Sequence, residues 1–210
     1  MISRLVTLAA LFGSFLLTAQ AQPWSALISP ENSLQFGFLH GTATVGRLGV
    51  GGWGPNWGWV GVEAHEKATG DRLTAKTSIV INRANGKVID LKLEAWKSSE
   101  RQITFRYDLA ATNDVPVTMI IAGFSLEKTF AKGKLVLSHA DGTESSLNLP
   151  FARGAQPLTR QAIFHLDKVG DLALNFDPPC ALGFDGDMRI MLASEVFKAG
   201  SRTTTVTMYT

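Results

Sequence analysis

From about Ser33 to its end the chain is a succession of short period-two apolar runs, punctuated by Gly, Asn and Asp, with no helical periodicity of useful length. A chain patterned this way can bury its apolar faces only by pairing strands and packing sheets. The plainest hairpin runs Thr74–Ile81, turns at Asn85-Gly86, and returns over Lys87–Trp96. Asn-Gly tolerates the positive φ angles that a tight turn demands. In the return strand Val88, Leu91 and Leu93 stand among Lys87, Asp90, Lys92 and Glu94, close to strict alternation with a slip near Ile89. Ile103, Phe105, Tyr107 and Leu109 alternate cleanly, and Val117–Ala122 is apolar enough to lie between neighbours. A second hairpin is expected around Asp141-Gly142, joining Lys134–Ser138 to Ser145–Leu149. With Ser33–Leu39, Ala162–Leu166, Asp171–Phe176, Met188–Ala193 and Thr203–Tyr209, this gives about eleven strands. Hairpin connections without helical crossovers favour an all-β fold, an antiparallel β-sandwich of jelly-roll type, with a closed barrel second.

The N-terminus reads differently. Arg4 precedes an apolar run from Leu5 to Leu17, and Thr18-Ala19-Gln20-Ala21 places small residues where a signal peptidase reads them. Residues 1–21 are expected to be a signal peptide cleaved after Ala21, and 22–210 a single β-sandwich domain. The run is too short to span a bilayer comfortably. The mature chain is therefore expected in the periplasm or outside the cell, with no membrane anchor. A formal charge of +2, with acids and bases interleaved, gives no reason to expect nucleic acid as a partner. The lone Cys180 allows no internal disulfide and reads as a small buried apolar residue.

One segment departs from the rest. Gly41–Gly61 holds eight glycines and three of the five tryptophans. Each glycine loses more backbone entropy on folding than any other residue, so the segment is costly to order. If Trp57–Ala64 is extended, Trp57, Trp59, Gly61 and Glu63 share a face. Flat indoles beside polar groups suit the C–H faces and hydroxyls of sugar rings. The candidate ligand-binding residues are Trp53, Asn56, Trp57, Trp59 and Glu63, with His65 and Glu66 as further polar partners. The competing reading packs the rings into the core or over the sheet edge. Gly49, Gly51 and Gly54 also satisfy G-x-G-x-x-G, but no helix follows to receive a phosphate.

No paired carboxylates stand out as a glycosidase acid and base: Glu63 and Glu66 fall on opposite faces of an extended strand, and Asp90, Glu94 and Glu127 are isolated. No catalytic residue is assigned. Asp177, Asp185 and Asp187 offer oxygens for a structural calcium, although their spacing misses the EF-hand pattern, and no other cofactor is expected. The four histidines lack zinc-site spacing.

Asp114-Val115-Pro116-Val117, the Phe130-Ala131-Lys132-Gly133-Lys134 turn, Leu149-Pro150-Phe151 and Leu182-Gly183-Phe184-Asp185-Gly186-Asp187 resemble the β-sandwich domains that precede catalytic domains in some secreted bacterial glycoside hydrolases. That resemblance implies a non-catalytic carbohydrate-binding or accessory domain with a poly- or oligosaccharide partner. A small sandwich-fold glycoside hydrolase drawing its carboxylates from distant strands, or a structural assembly module, are the alternatives.

Overall fold

The computed structural model describes residues 24–28, 34, 36–62, 66 and 68–210. The expected signal peptide, Glu63 and His65 lie outside the described residues.

The described residues form fourteen strands, all paired antiparallel, with no α-helix. Three more strands are present than the periodicity suggests: β1 (Trp24–Leu27) and β4 (Trp59–Gly61) carry too few residues to show a period, and the strand over 43–53 has glycines where an alternation would show. The others are β2 (Phe36–His40), β3 (Ala43–Trp53), β5 (Arg72–Asn82), β6 (Lys87–Ser99), β7 (Gln102–Ala111), β8 (Val115–Leu126), β9 (Gly133–His139), β10 (Glu144–Leu149), β11 (Gly154–Leu166), β12 (Gly170–Asp185), β13 (Asp187–Phe197) and β14 (Gly200–Tyr209).

Hydrogen bonding links them in the order β1-β2-β3-β8-β13-β12-β14-β7-β6-β5, with β4 on β3, β11 on β12, and β9 and β10 beyond β11. The curl that makes this sheet sandwich-like is set by β11 and β12, which belong to both layers. Ala173–Asp177 of β12 pairs β14, whereas Leu182–Asp185 pairs β13. On β11 the register breaks on either side of Thr159, where bulges bend a strand. The layers meet through aromatic rings. Phe36 and Phe38 of β2 lie 4.8 and 6.3 Å from Phe105 of β7, and Phe124 of β8 lies 5.2 Å from Phe164 of β11. Tilted and edge-on pairs of this kind add about 0.5–1.5 kcal/mol each beyond burial.

The expected hairpins form with adjusted turns. β5 and β6 are joined by a 3₁₀ turn over Arg83–Asn85 and Gly86 at φ +70°, longer than a two-residue turn. In β6 the buried set is Ile89, Leu91, Leu93 and Ala95, so the apparent slip resolves with Ile89 in phase and Val88 out of it. At the second hairpin Gly142 takes φ +87°, and the Asp141 carboxylate accepts from the Thr143 N–H and hydroxyl at 2.9 and 2.7 Å. β8 runs between β3 and β13, as its apolar run implies. Cys180 is buried, its thiol donates to the Pro178 carbonyl at 3.4 Å, and burial pushes its pKa up to about 11.

Candidate functional site

Strand pairing alone puts a distinctive set of residues on the outer face of the β4-β3-β8-β13-β12 layer. In β3 the even positions Leu48, Val50 and Gly52 face the core, leaving Arg47, Gly49, Gly51 and Trp53 outside. Register then builds rows across the face. Trp59, Trp53 and Met119 form one row, Gly61, Gly51 and Ile121 the next, and Gly49, Gly123, Arg189 and Gly183 a third. Arg47 and Ser125 form a fourth. The glycines leave the third row low, and the taller side chains on either side turn it into a groove of about 330 Å³. Arg47, Trp53, Trp59, Ser125, Asp187 and Arg189 wall it. That volume is at the small end of the range for small-molecule sites.

The glycine content of β3 follows from this geometry. A Cβ on Gly51 would stand 2.6 Å from the outer edge of the Trp59 ring, so the indole reaches over the strand only because that position is bare. Gly61, opposite Gly51 in register, would place its Cβ 3.6 Å from Trp59 Nε1. Gly52 points the other way, where a Cβ would meet the Met119 carbonyl and the Ile120 side chain at 2.6 Å each.

The tryptophans divide by environment. Trp53 is half-buried at the centre, with the Trp59 ring 4.7 Å and the Trp57 ring 6.3 Å away, both edge-on. The Arg189 guanidinium covers Trp53 at 4.9 Å, a contact worth about 0.5–1 kcal/mol at an exposed site. Trp57 and Trp59 are 60% and 58% exposed, and with Leu158 they are the most exposed large apolar side chains among the described residues. The core-packed alternative for these two rings is excluded. The strand expected from Trp57 begins only at Trp59. Pro55–Trp57 is a 3₁₀ turn in which Asn56 and Trp57 both take positive φ, +65° and +61°. Trp57 therefore does not share a strand face with Trp59. The turn's base is clamped by the Gly54 N–H donating to the Gly58 carbonyl at 2.8 Å, and by the Thr118 hydroxyl donating to the Gly54 carbonyl at 2.8 Å. Asn56 is exposed at the tip.

The charged groups are held from outside the groove. Arg47 pairs with Glu127 at 3.2 Å and Arg189 with Asp185 at 3.1 Å, which fixes both guanidiniums in orientation while leaving donors toward the groove. Partial desolvation raises the pKa of Asp187, which keeps solvent exposure; the Arg189 charge opposes the shift and Asp185 adds to it. Of the remaining sequence candidates, Glu66 lies by β5, where a carboxylate oxygen accepts from the Lys76 N–H at 3.0 Å. Asp185 and Asp187 face each other across the Gly186 turn, and Asp177 pairs with Thr205 on β14. No three His, Cys, Asp or Glu among the described residues gather as a cation site. Arg47, Ser125 and Arg189 escaped the sequence reading because they come from three strands distant in the chain, and only the register unites them.

No family model and no curated protein matches the chain. Its fold is similar to the crystal structure of a candidate aldose 1-epimerase from Escherichia coli K12, with a TM-score of 0.55 over 89% of this chain and 98% of that one, at 8% identity. At that identity the likeness is one of fold.

Proposed function

We propose that the chain is an exported, non-catalytic carbohydrate-binding domain that holds a sugar ring in the Trp53/Trp59 groove. The observation that carries this reading is Trp59, more than half exposed and set against the bare Gly51 and Gly61 beside two guanidiniums, a carboxylate and a hydroxyl. An exposed indole offers the C–H face of a sugar an apolar wall, and Arg47, Asp187, Arg189 and Ser125 supply donors and acceptors for its hydroxyls. Each arginine already has a carboxylate partner, so the local charge is close to balanced and a neutral sugar is favoured over an acidic one. Asn56 and Trp57 do not line the groove and stand beyond it on the Pro55–Trp57 turn. The fold shared with a candidate sugar epimerase is consistent with this use, as is the export signal expected in residues 1–21.

Calorimetry against neutral oligosaccharides, comparing the parent with the Trp57→Ala/Trp59→Ala pair, tests the reading. The pair is expected to weaken binding at least tenfold, about 1.4 kcal/mol; binding untouched by it would remove the groove as the site. Mass analysis of the secreted protein checks cleavage after Ala21. A catalytic reading is favoured by one feature, the raised pKa of Asp187, which suits a group that exchanges protons with a sugar. Polarimetry of a freshly dissolved aldose discriminates the two. Turnover abolished by Asp187→Asn would make the chain an enzyme.

A further inference from the structure

We infer that the groove takes a chain of linked sugars rather than a single free aldose, with Trp57 as the platform for a unit beyond the one seated on Trp59. This rests on the carbohydrate reading above and specifies its ligand. Three observations meet here. First, Trp57 is the more exposed of the two outer rings, yet it does not line the groove, so one sugar in the groove leaves it unused. Second, Trp57 adopts φ +61°, a left-handed conformation that costs a bulky L-residue energy, and it follows another left-handed residue, Asn56. The turn buries none of its three side chains, so no core packing accounts for this conformation, which lifts the ring off the sheet beside Trp53. Strain retained without packing in return is found at ligand clamps. Third, Asp187 and Arg189 line the groove, and farther along the same strand Met191 and Ser194 border a second hollow of about 290 Å³, which also takes in exposed Leu158 and the buried Leu192, Ala193 and Cys180. Ser194 is opposite Met119, and Met119 is opposite Trp53, so the second hollow begins at the level of the tryptophan row. An extended ligand leaving the groove past Trp53 would meet Trp57 on one side and this hollow on the other.

The test is a titration of the full domain with glucose and with gluco- and xylo-oligosaccharides of one to six units, for the parent, Trp57→Ala and Trp59→Ala. For the parent, affinity should rise with chain length. Trp57→Ala should leave the shortest ligand that binds unchanged and weaken the hexasaccharide five- to tenfold, whereas Trp59→Ala should weaken every length. Trp57 is exposed, so its truncation leaves the core intact, and an unchanged circular dichroism melt confirms this. Equal loss at all lengths, or no loss at any, for Trp57→Ala would overturn the second platform while leaving the groove as a sugar site. Failure of the parent to bind any sugar at any length would overturn both.

Discussion

Tyr107 sits fully buried at the heart of the clean alternation in β7, and its hydroxyl has no hydrogen-bond partner among the described residues. Burial drives its pKa well above the ordinary tyrosine value. A buried, unpaired hydroxyl costs about 1–3 kcal/mol in desolvation, while the ring contributes packing. Tyr107→Phe keeps the ring and removes the cost, so it should be neutral or stabilising by up to about 1 kcal/mol in urea unfolding. A clear loss of stability would mean that the hydroxyl has a partner in solution. Asp187 makes the opposite kind of prediction, one that depends on pH. Its folded pKa lies above the ordinary 3.8, so the folded state favours the protonated form. Its contribution to stability is therefore greatest below the unfolded pKa and is lost as pH rises through the folded one. Asp187→Asn should be more stable than the parent at pH 7, with the gap closing as pH falls toward 3.8. A gap that widens on acidification would show that ionised Asp187 is stabilised in the fold.

At the scale of elements, β3 shows how adjacent glycines can serve different ends. Gly51 faces Trp59 and Gly52 faces the core, so the same substitution should separate binding from stability. Gly51→Ala puts a methyl under the outer edge of an exposed indole, which can swing away. Sugar affinity should drop toward that of Trp59→Ala while stability changes by about 0.5 kcal/mol or less. Gly52→Ala drives a methyl into the Met119 carbonyl and Ile120, which cannot both move, and should cost about 1–3 kcal/mol. Urea titration beside calorimetry reads both effects, and the reverse pattern would mean that the two faces of β3 are exchanged. Other strands show what local sequence can reveal. The alternation of β6 and β7, the Asn-Gly and Asp-Gly turns, and the aromatic character of the Trp53–Trp59 stretch are all properties of neighbouring residues and were legible as such. Two features were not. The bend at Pro55–Trp57 takes Trp57 off the face it would share with Trp59 in an extended strand, because two consecutive positive φ values override period two. The polar half of the groove depends on β3, β8 and β13 being neighbours in an order no local pattern specifies.

For the whole molecule, the decisive feature is that β11 and β12 run through both layers. The outer face that carries the groove cannot detach from the β5-β6-β7-β14 layer without breaking β12, which pairs β14 through Ala173–Asp177 and β13 through Leu182–Asp185. The buried apolar residues, from Phe36 in β2 to Met208 in β14, likewise form one continuous cluster. With one core, and Cys180 unable to form an internal disulfide, stability rests on packing shared by both layers. Unfolding should then be a single cooperative event. The probes can be separated in a Trp24→Phe/Trp96→Phe background, where Trp53, Trp57 and Trp59 alone report from the groove layer through fluorescence, whereas far-ultraviolet circular dichroism reports all strands. The two urea transitions should coincide in midpoint and slope. If fluorescence changed first, the β3-β4 edge would be opening while the rest stayed folded, placing the binding groove on the least stable part of the sheet. Such a result would also alter the view of Trp57, since ligand addition would then stabilise that edge selectively and bring the two transitions back together. Coincident transitions with and without sugar would instead indicate that the groove is preformed on a rigid sheet, where bound ligand raises the midpoint of the whole domain.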